Sequence, residues 1–382
     1  MGKISGGKFY QRLGVKRVIN AASWITVAGG SVMPDPVRDA MEDAAHWFVD
    51  IHELNREAGR VIARLTGAEA GFVTAGASAS MMLQAAAVMT GNDISKVHQL
   101  PDTTGMKNEI IIHRVHRVEE DRNYRTAGAR LVEIGNSYGA EDWHLEGAIS
   151  ERTAGVAYIF GPRPAGAIPL QRVIEIGQRN RIPVLIDAAA MLPPKENLTR
   201  FISMGADMVA FSGGKGIRGP QSTGILCGRR DLIEAAYKSS SPNHDGIGRA
   251  AKVCKEEIAG LITALELFVD TDQNAEISRW RVKCERIANG LHGIAGVRVQ
   301  VTEVQPQWDE LTLNYPRVVV SFENAWTGPR EDAVIQMLRD GDPRIWVSRA
   351  GYYGGIAVVP VNLQDSEEEL ILRRMREVLR TP

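Results

Sequence analysis

The stretch Phe211-Ser212-Gly213-Gly214-Lys215-Gly216-Ile217-Arg218-Gly219-Pro220-Gln221 sets a lysine in a glycine-dense turn. The apolar run Met208-Val209-Ala210-Phe211 leads into it, and Ser222-Thr223-Gly224-Ile225-Leu226 leads out. Both flanks read as short buried strands, so Lys215 is no ordinary solvated surface charge. Glycine on either side lets the backbone pass close to a ligand and adopt φ > 0. An amine presented in this way suits a Schiff base with a carbonyl cofactor. A phosphate-cradling turn with the lysine as a point charge is the competing reading, although no Ser or Thr follows the lysine as the Walker pattern requires.

Upstream, Arg181-Ile182-Pro183-Val184-Leu185-Ile186-Asp187-Ala188-Ala189-Ala190 is an apolar run with one carboxylate near its end. It reads as a strand buried on both faces, as parallel strands in α/β proteins are. Open α/β sheets bind ligands at the C-terminal ends of their strands, where Asp187 falls. Pyridoxal phosphate (PLP) needs a carboxylate against its pyridine nitrogen to act as an electron sink. From Asp187 to Lys215 is 28 residues, room for a crossover helix (about Pro194 to Gly205) and one more strand. A third element, Gly71-Phe72-Val73-Thr74-Ala75-Gly76-Ala77-Ser78-Ala79-Ser80, runs from a strand through a small-residue turn into a helix. The free N–H groups at that helix start would cup a phosphate with Gly76, Ala77 and Ser78, Ser78 adding a hydroxyl.

In this order the three elements resemble fold-type I PLP enzymes. The segments Val18-Ile19-Asn20-Ala21-Ala22, Gly29-Gly30-Ser31-Val32-Met33-Pro34, Leu65-Thr66-Gly67-Ala68-Glu69-Ala70-Gly71 and Leu131-Val132-Glu133-Ile134-Gly135 narrow the resemblance. So does Gly248-Arg249-Ala250-Ala251-Lys252-Val253-Cys254-Lys255-Glu256. Together they resemble the selenocysteine synthase (bacterial selenium transferase) group over nearly the whole chain, especially its shorter ammonia-lyase-like members. The resemblance implies Lys215 as the Schiff-base lysine, Asp187 as the pyridinium partner and Ala189 packed on one ring face. It implies His116 over the other face, with His113 as the competing histidine. Ser212 and Thr223 become candidate phosphate hydroxyls; in dimers of this fold a residue near Thr223 reaches the neighbouring subunit's cofactor.

The chain has 382 residues, 44% hydrophobic and 24% charged, enough for a large domain and a smaller one. An amphipathic helix over Leu54–Leu65 is followed by strand and helix signals that alternate from Ile110 to Leu226, with a helix near Leu170–Asn180, which predicts a mostly parallel sheet covered by helices. The expected organisation is an N-terminal arm (1–20), a large PLP-binding domain (21–255) and a small C-terminal α+β domain (256–382). A helix from about Gly248 to Asp270 is expected to leave the large domain. With a net charge of −1, no basic surface points to nucleic acid or membrane. Cys227, Cys254 and Cys284 lack metal-site spacing, so neither zinc nor disulfides are expected. No apolar leader is visible at the N-terminus, and a cytoplasmic homodimer or larger homo-oligomer is expected.

Residues 91–109 read as a long irregular loop, hence a lid or a solvated insertion. Arg249, Lys252 and Lys255 would share a helix face able to grip an anionic substrate group. Arg349 stands where fold-type I enzymes put a carboxylate clamp, with Arg344 close by. The expected activity is α,β-elimination of ammonia from a polar 2-amino-3-hydroxy acid of the D-glucosaminate type, phosphorylated or not, giving a 2-oxo acid. The alternative is an amino-acid racemase or epimerase, for which His116 would be the second acid. A tRNA partner, as in selenocysteine synthase itself, is disfavoured by the balanced charge. A regulatory binding module is disfavoured by the intact Lys215 and Asp187.

Overall fold

The computed structural model describes residues 7–160, 166–303, 315–351 and 354–380. These form two compact units, one of residues 31–271 and the other of residues up to 30 and from 272 onward. The division departs from the expected boundaries at both ends. β1 (Val18–Ala21) is a strand of the smaller unit, paired in parallel with β11 (Arg344–Arg349). The helix Lys255–Asp270 stays with the larger unit, where Ile258, Leu261, Ala264, Leu265 and Phe268 enter its core. That helix starts at Lys255, not near Gly248, because residues 248–254 form turns and extended chain.

The larger unit is built on β2 (Ala70–Thr74), β3 (Glu109–His113), β4 (Arg130–Ile134), β5 (Thr153–Ile159), β6 (Val184–Asp187), β7 (Met208–Ser212) and β8 (Gly224–Gly228). Their order in the sheet is β2-β8-β7-β6-β5-β3-β4. All neighbours are parallel except β8, which runs against both β2 and β7. Successive side chains on a strand point to opposite faces, and here both faces are core. Val184 and Ile186 of β6, with Val209 and Phe211 of β7, feed one cluster; Leu185, Met208 and Ala210 feed the other. This is why these strands read as unbroken apolar runs.

The register gathers the strand ends at one edge. Thr74 lies opposite Gly224, which lies opposite Ser212. Asp187 lies between Ala210 of β7 and Ile159 of β5. The helix Gly76–Thr90 leaves that edge and crosses the sheet, its residues buried on nearly every side. Residues 91–108 therefore emerge at the opposite edge, where β3 begins. They hold a helix, Ile94–Gln99, and Thr103 is tied to Gly128 and Asn108. The lid reading of this segment is corrected on that ground: it stands at the wrong end of the strands.

In the smaller unit β9 (Val297–Thr302), β10 (Arg317–Phe322), β11 (Arg344–Arg349) and β12 (Ile356–Val358) join β1 in the order β1-β11-β12-β10-β9. Helices Gln273–Leu291, Glu331–Asp340 and Glu367–Leu379 supply the apolar residues of its core. Phe211 is fully buried between the sheet and Phe201. Phe211→Ala should lower stability by about 3–5 kcal/mol through the cavity it leaves, read as a lower midpoint in urea denaturation.

Candidate active site

The Lys215 turn is held by close packing rather than by unusual backbone angles. A Cβ on Gly214 would lie 2.4 Å from Gln221 Cα, and one on Gly216 would lie 2.2 Å from the Leu192 carbonyl oxygen. Neither glycine has φ > 0; the left-handed residue of the turn is Arg218, at φ 63°. Glycine is required here so that two chain segments can touch. The Lys215 side chain is half-buried, and its amine makes no hydrogen bond or ion pair among the described residues.

Asp187 ends β6, with 7% of its surface exposed. The Ala189 N–H donates to its Oδ1 at 3.0 Å. Burial pushes its carboxyl up to about 6; that backbone bond and the charge of Lys215 offset part of the rise. Ala189 thus serves the carboxylate through its backbone as well as standing beside the site.

His113 and His116 can now be told apart. His113 closes β3, and its Nε2 accepts from the Ile168 N–H at 3.3 Å. His116 sits in the following helical turn, 2% exposed, and neither of its ring nitrogens has a hydrogen-bond partner among the described residues. Its ring packs edge-on to Tyr158 of β5 at 4.5 Å between centroids, and Tyr158 is the register partner of Ile186. Burial pulls His116 down to about 3 and His113 to about 4, so both are neutral at physiological pH. Arg117 fixes the turn, bridging Asp121 at 2.5 Å and Glu133 on β4.

At the same edge, no side chain caps the helix Gly76–Thr90, so its first N–H groups are free for an anion. Gly76 has φ 76°, and a Cβ on Gly224 would lie 2.5 Å from the Gly76 carbonyl carbon. Ser78 is exposed and Ser212 half-buried. Thr223 does not serve as expected: it is fully buried and donates its hydroxyl to the Pro220 carbonyl at 2.7 Å.

The cationic trio is corrected as well. Arg249 and Lys252 precede the helix, and Lys255 begins it, so the three share no helix face. The Lys255 amine is engaged by the Ala44 carbonyl at 2.6 Å and by Glu256. In the smaller unit Arg349 ends β11, 63% exposed and paired with Glu331 and Asp332. Arg344, at the start of that strand, is exposed.

Three neighbours escaped sequence reasoning. Ser31 donates to the carbonyls of Gly214 and Lys215. Gln84, wholly buried, donates to the Ile186 carbonyl at 3.1 Å and accepts from Tyr124 Oη at 3.3 Å. These are long-range polar contacts, and no local pattern announces them. Among the described residues no cluster of His, Cys, Asp or Glu is placed to hold a metal ion, and no helix is long and apolar enough to cross a membrane.

The arrangement fits PLP on its own chemistry. Among the described residues, a buried histidine ring has no polar partner, a buried carboxylate is short of counter-charge, an unpaired amine stands nearby, and an uncapped helix start faces the same edge. Comparison with known proteins agrees. The chain is 32% identical to the D-glucosaminate-6-phosphate ammonia lyase of Salmonella typhimurium, over 97% of both chains. It is 30% identical to a 5'-C-glycyluridine monooxygenase-decarboxylase from a Streptomyces species, over 97% of this chain and 92% of that one. A solved D-glucosaminate-6-phosphate ammonia-lyase superposes at a TM-score of 0.85 with 31% identity, covering 98% of this chain and 99% of that one. The architecture is that of fold-type I PLP enzymes. The sequence model of the L-seryl-tRNA selenium transferase family matches residues 35–281, and the chain belongs to that family.

Proposed function

We propose that this protein is a PLP-dependent ammonia lyase acting on a polar 2-amino-3-hydroxy acid of the D-glucosaminate type, with or without a 6-phosphate. The observation that carries the reading is the Lys215–Asp187 pair at one sheet edge, in a chain similar to the Salmonella ammonia lyase from end to end. Lys215, Asp187, Ala189 and His116 would hold the cofactor's ring, and Gly76, Ala77, Ser78 and Ser212 its phosphate. Arg349 is the proposed grip on the substrate carboxylate, in exchange for Glu331 and Asp332. The protein is proposed to work as a cytoplasmic homo-oligomer.

PLP, when bound, supplies the electron sink for the pair left at Cα when its proton departs. Lys215, released by the incoming substrate amine, takes that proton at Nζ. The same ammonium can then protonate the departing β-hydroxyl, which leaves as water. Tautomerisation and hydrolysis of the dehydrated product give a 2-oxo acid and ammonia, so the water lost is regained. Asp187 stays ionised once a cation lies against it. His116, neutral down to about pH 3, contributes a flat surface and excludes water rather than donating a proton. That weighs against the racemase alternative, which needs a second acid.

The Streptomyces relative motivates a second reading, an oxygen-dependent decarboxylation on the same scaffold. Ammonia and 2-oxo acid formed without oxygen uptake support the lyase; oxygen uptake with carbon dioxide release supports the other. With the wild-type protein, borohydride reduction should leave a pyridoxyl group on Lys215, and Lys215→Ala should abolish both label and turnover. A label on another lysine refutes the assignment.

Asp187 makes a prediction about the apoprotein. Its folded carboxyl titrates near 6 against an ordinary 3.8, so between those values the folded chain holds a proton that the unfolded chain has released. Stability of the apoprotein therefore falls as pH rises from about 4 to about 6, and the whole cost, about 3 kcal/mol, is present above that. Asp187→Asn should raise the denaturation midpoint of the apoprotein at pH 8 and change it little at pH 4. With cofactor and substrate at pH 8, the same variant should lose most of its turnover.

A further inference from the structure

Outside the groups already assigned, the most informative contact is one between the start of the larger unit and the backbone of Lys215. Ser31, half-buried, aims its hydroxyl at two consecutive carbonyls, Gly214 at 3.2 Å and Lys215 at 2.6 Å. The Lys215 carbonyl also accepts from the Arg218 N–H at 3.0 Å, closing the turn. Arg218 in turn sends its Nε back to the carbonyl of Val32, the residue after Ser31, at 3.4 Å. Two short segments, 31–32 and 214–218, are thus joined in both directions.

Arg218 holds a left-handed conformation at φ 63°, one that a non-glycine residue adopts only at a cost. Such a conformation persists where its surroundings over-determine it. Here the Ser31 hydrogen bond, the Arg218 turn bond and the glycine contacts at Gly214 and Gly216 are those surroundings. A lysine that is attached in one stage and a free base in the next has to return to one position. Its own side chain, with four rotatable bonds, cannot supply that constancy, so the backbone that carries it has to.

We infer that Ser31 is a positioning residue for Lys215: its hydroxyl fixes the Gly214–Lys215 backbone, and through it the direction of the amine. The inference rests on the reading of Lys215 as the lysine that bonds the cofactor. Ser31 touches neither cofactor nor substrate in this role, and Arg218 is the second half of the same clamp. The conservative replacement is threonine, which keeps the donor; valine keeps threonine's shape and removes the hydroxyl.

The test compares Ser31→Thr with Ser31→Val. Apoprotein is mixed with PLP, reduced with borohydride at timed intervals, and the pyridoxyl group on Lys215 is counted by peptide mass. Backbone amide exchange at Arg218 is measured in the apoprotein, where no cofactor contributes. Threonine should attach PLP within about threefold of the wild-type rate and valine about tenfold or more slowly, with faster exchange at Arg218 in valine only. In the loaded enzyme, valine should lower kcat and leave KM within about twofold, since substrate contacts are untouched. Equal attachment and equal exchange in the two variants, whether fast or slow, overturn the inference. Should the branched side chains prevent folding, Ser31→Ala against the wild type carries the same comparison. Wild-type protein that labels no Lys215 would instead sink the parent reading, so the two failures are distinguishable.

Discussion

Everything at this site depends on one buried carboxylate. Asp187 is placed at the end of β6 by the sheet register, in a position where water cannot stabilise its charge. Burial raises its carboxyl to about 6, and the Ala189 N–H and the nearby Lys215 charge offset only part of that penalty. Such a group is destabilising in an empty protein and becomes favourable when a cation fills the space in front of it. The fold accepts this cost because the two clusters beneath β6 and β7 are apolar on both faces and continuous.

The sheet edge turns that single constraint into a site. β8 runs antiparallel, so its first residue, Gly224, lies beside the last residues of β2 and β7. A side chain at Gly224 would strike the start of the helix Gly76–Thr90, and side chains at Gly214 and Gly216 would strike Gln221 and Leu192. These glycines set how near the helix start and the Lys215 turn come to the neighbouring chain. Buried polar contacts then hold the pieces in register: Gln84 fastens the helix to the residue before Asp187, and Arg117 fastens the His116 turn to β4.

Sequence periodicity carried the larger sheet well, because strands buried on both faces are legible as apolar runs and the turns between them are rich in glycine. The crossover helix expected between about Pro194 and Gly205 is present as Asn197–Ser203, and the lysine and aspartate fall at strand ends as expected. The failures have physical causes. β1 is not visible as a strand in the sequence because its four residues pair with β11, more than 300 residues away, and have no local partner to reveal them. Residues 249–255 were read as helix from composition, whereas the capping arrangement at Cys254 and Glu257 starts the helix at Lys255. Thr223 has the composition of a phosphate ligand, but its hydroxyl is committed to the Pro220 carbonyl. Roles that depend on where one hydroxyl points are not written in a linear pattern.

The two histidines bear most directly on the kind of chemistry available. Inversion at a carbon centre needs two groups that exchange protons near the working pH, one for each face. Lys215 is the group proposed for one face. His116 is poorly suited by its setting: buried against Tyr158 and His113, it is held neutral well below physiological pH. His113 offers no relay, since burial holds it neutral too and its Nε2 is already the acceptor for Ile168. With Lys215 as the proposed base and both histidines held neutral, a proton taken from Cα would serve to expel the β-substituent or return to the same face. The electrostatics of the pocket, more than the identity of the nucleophile, therefore favour elimination over inversion.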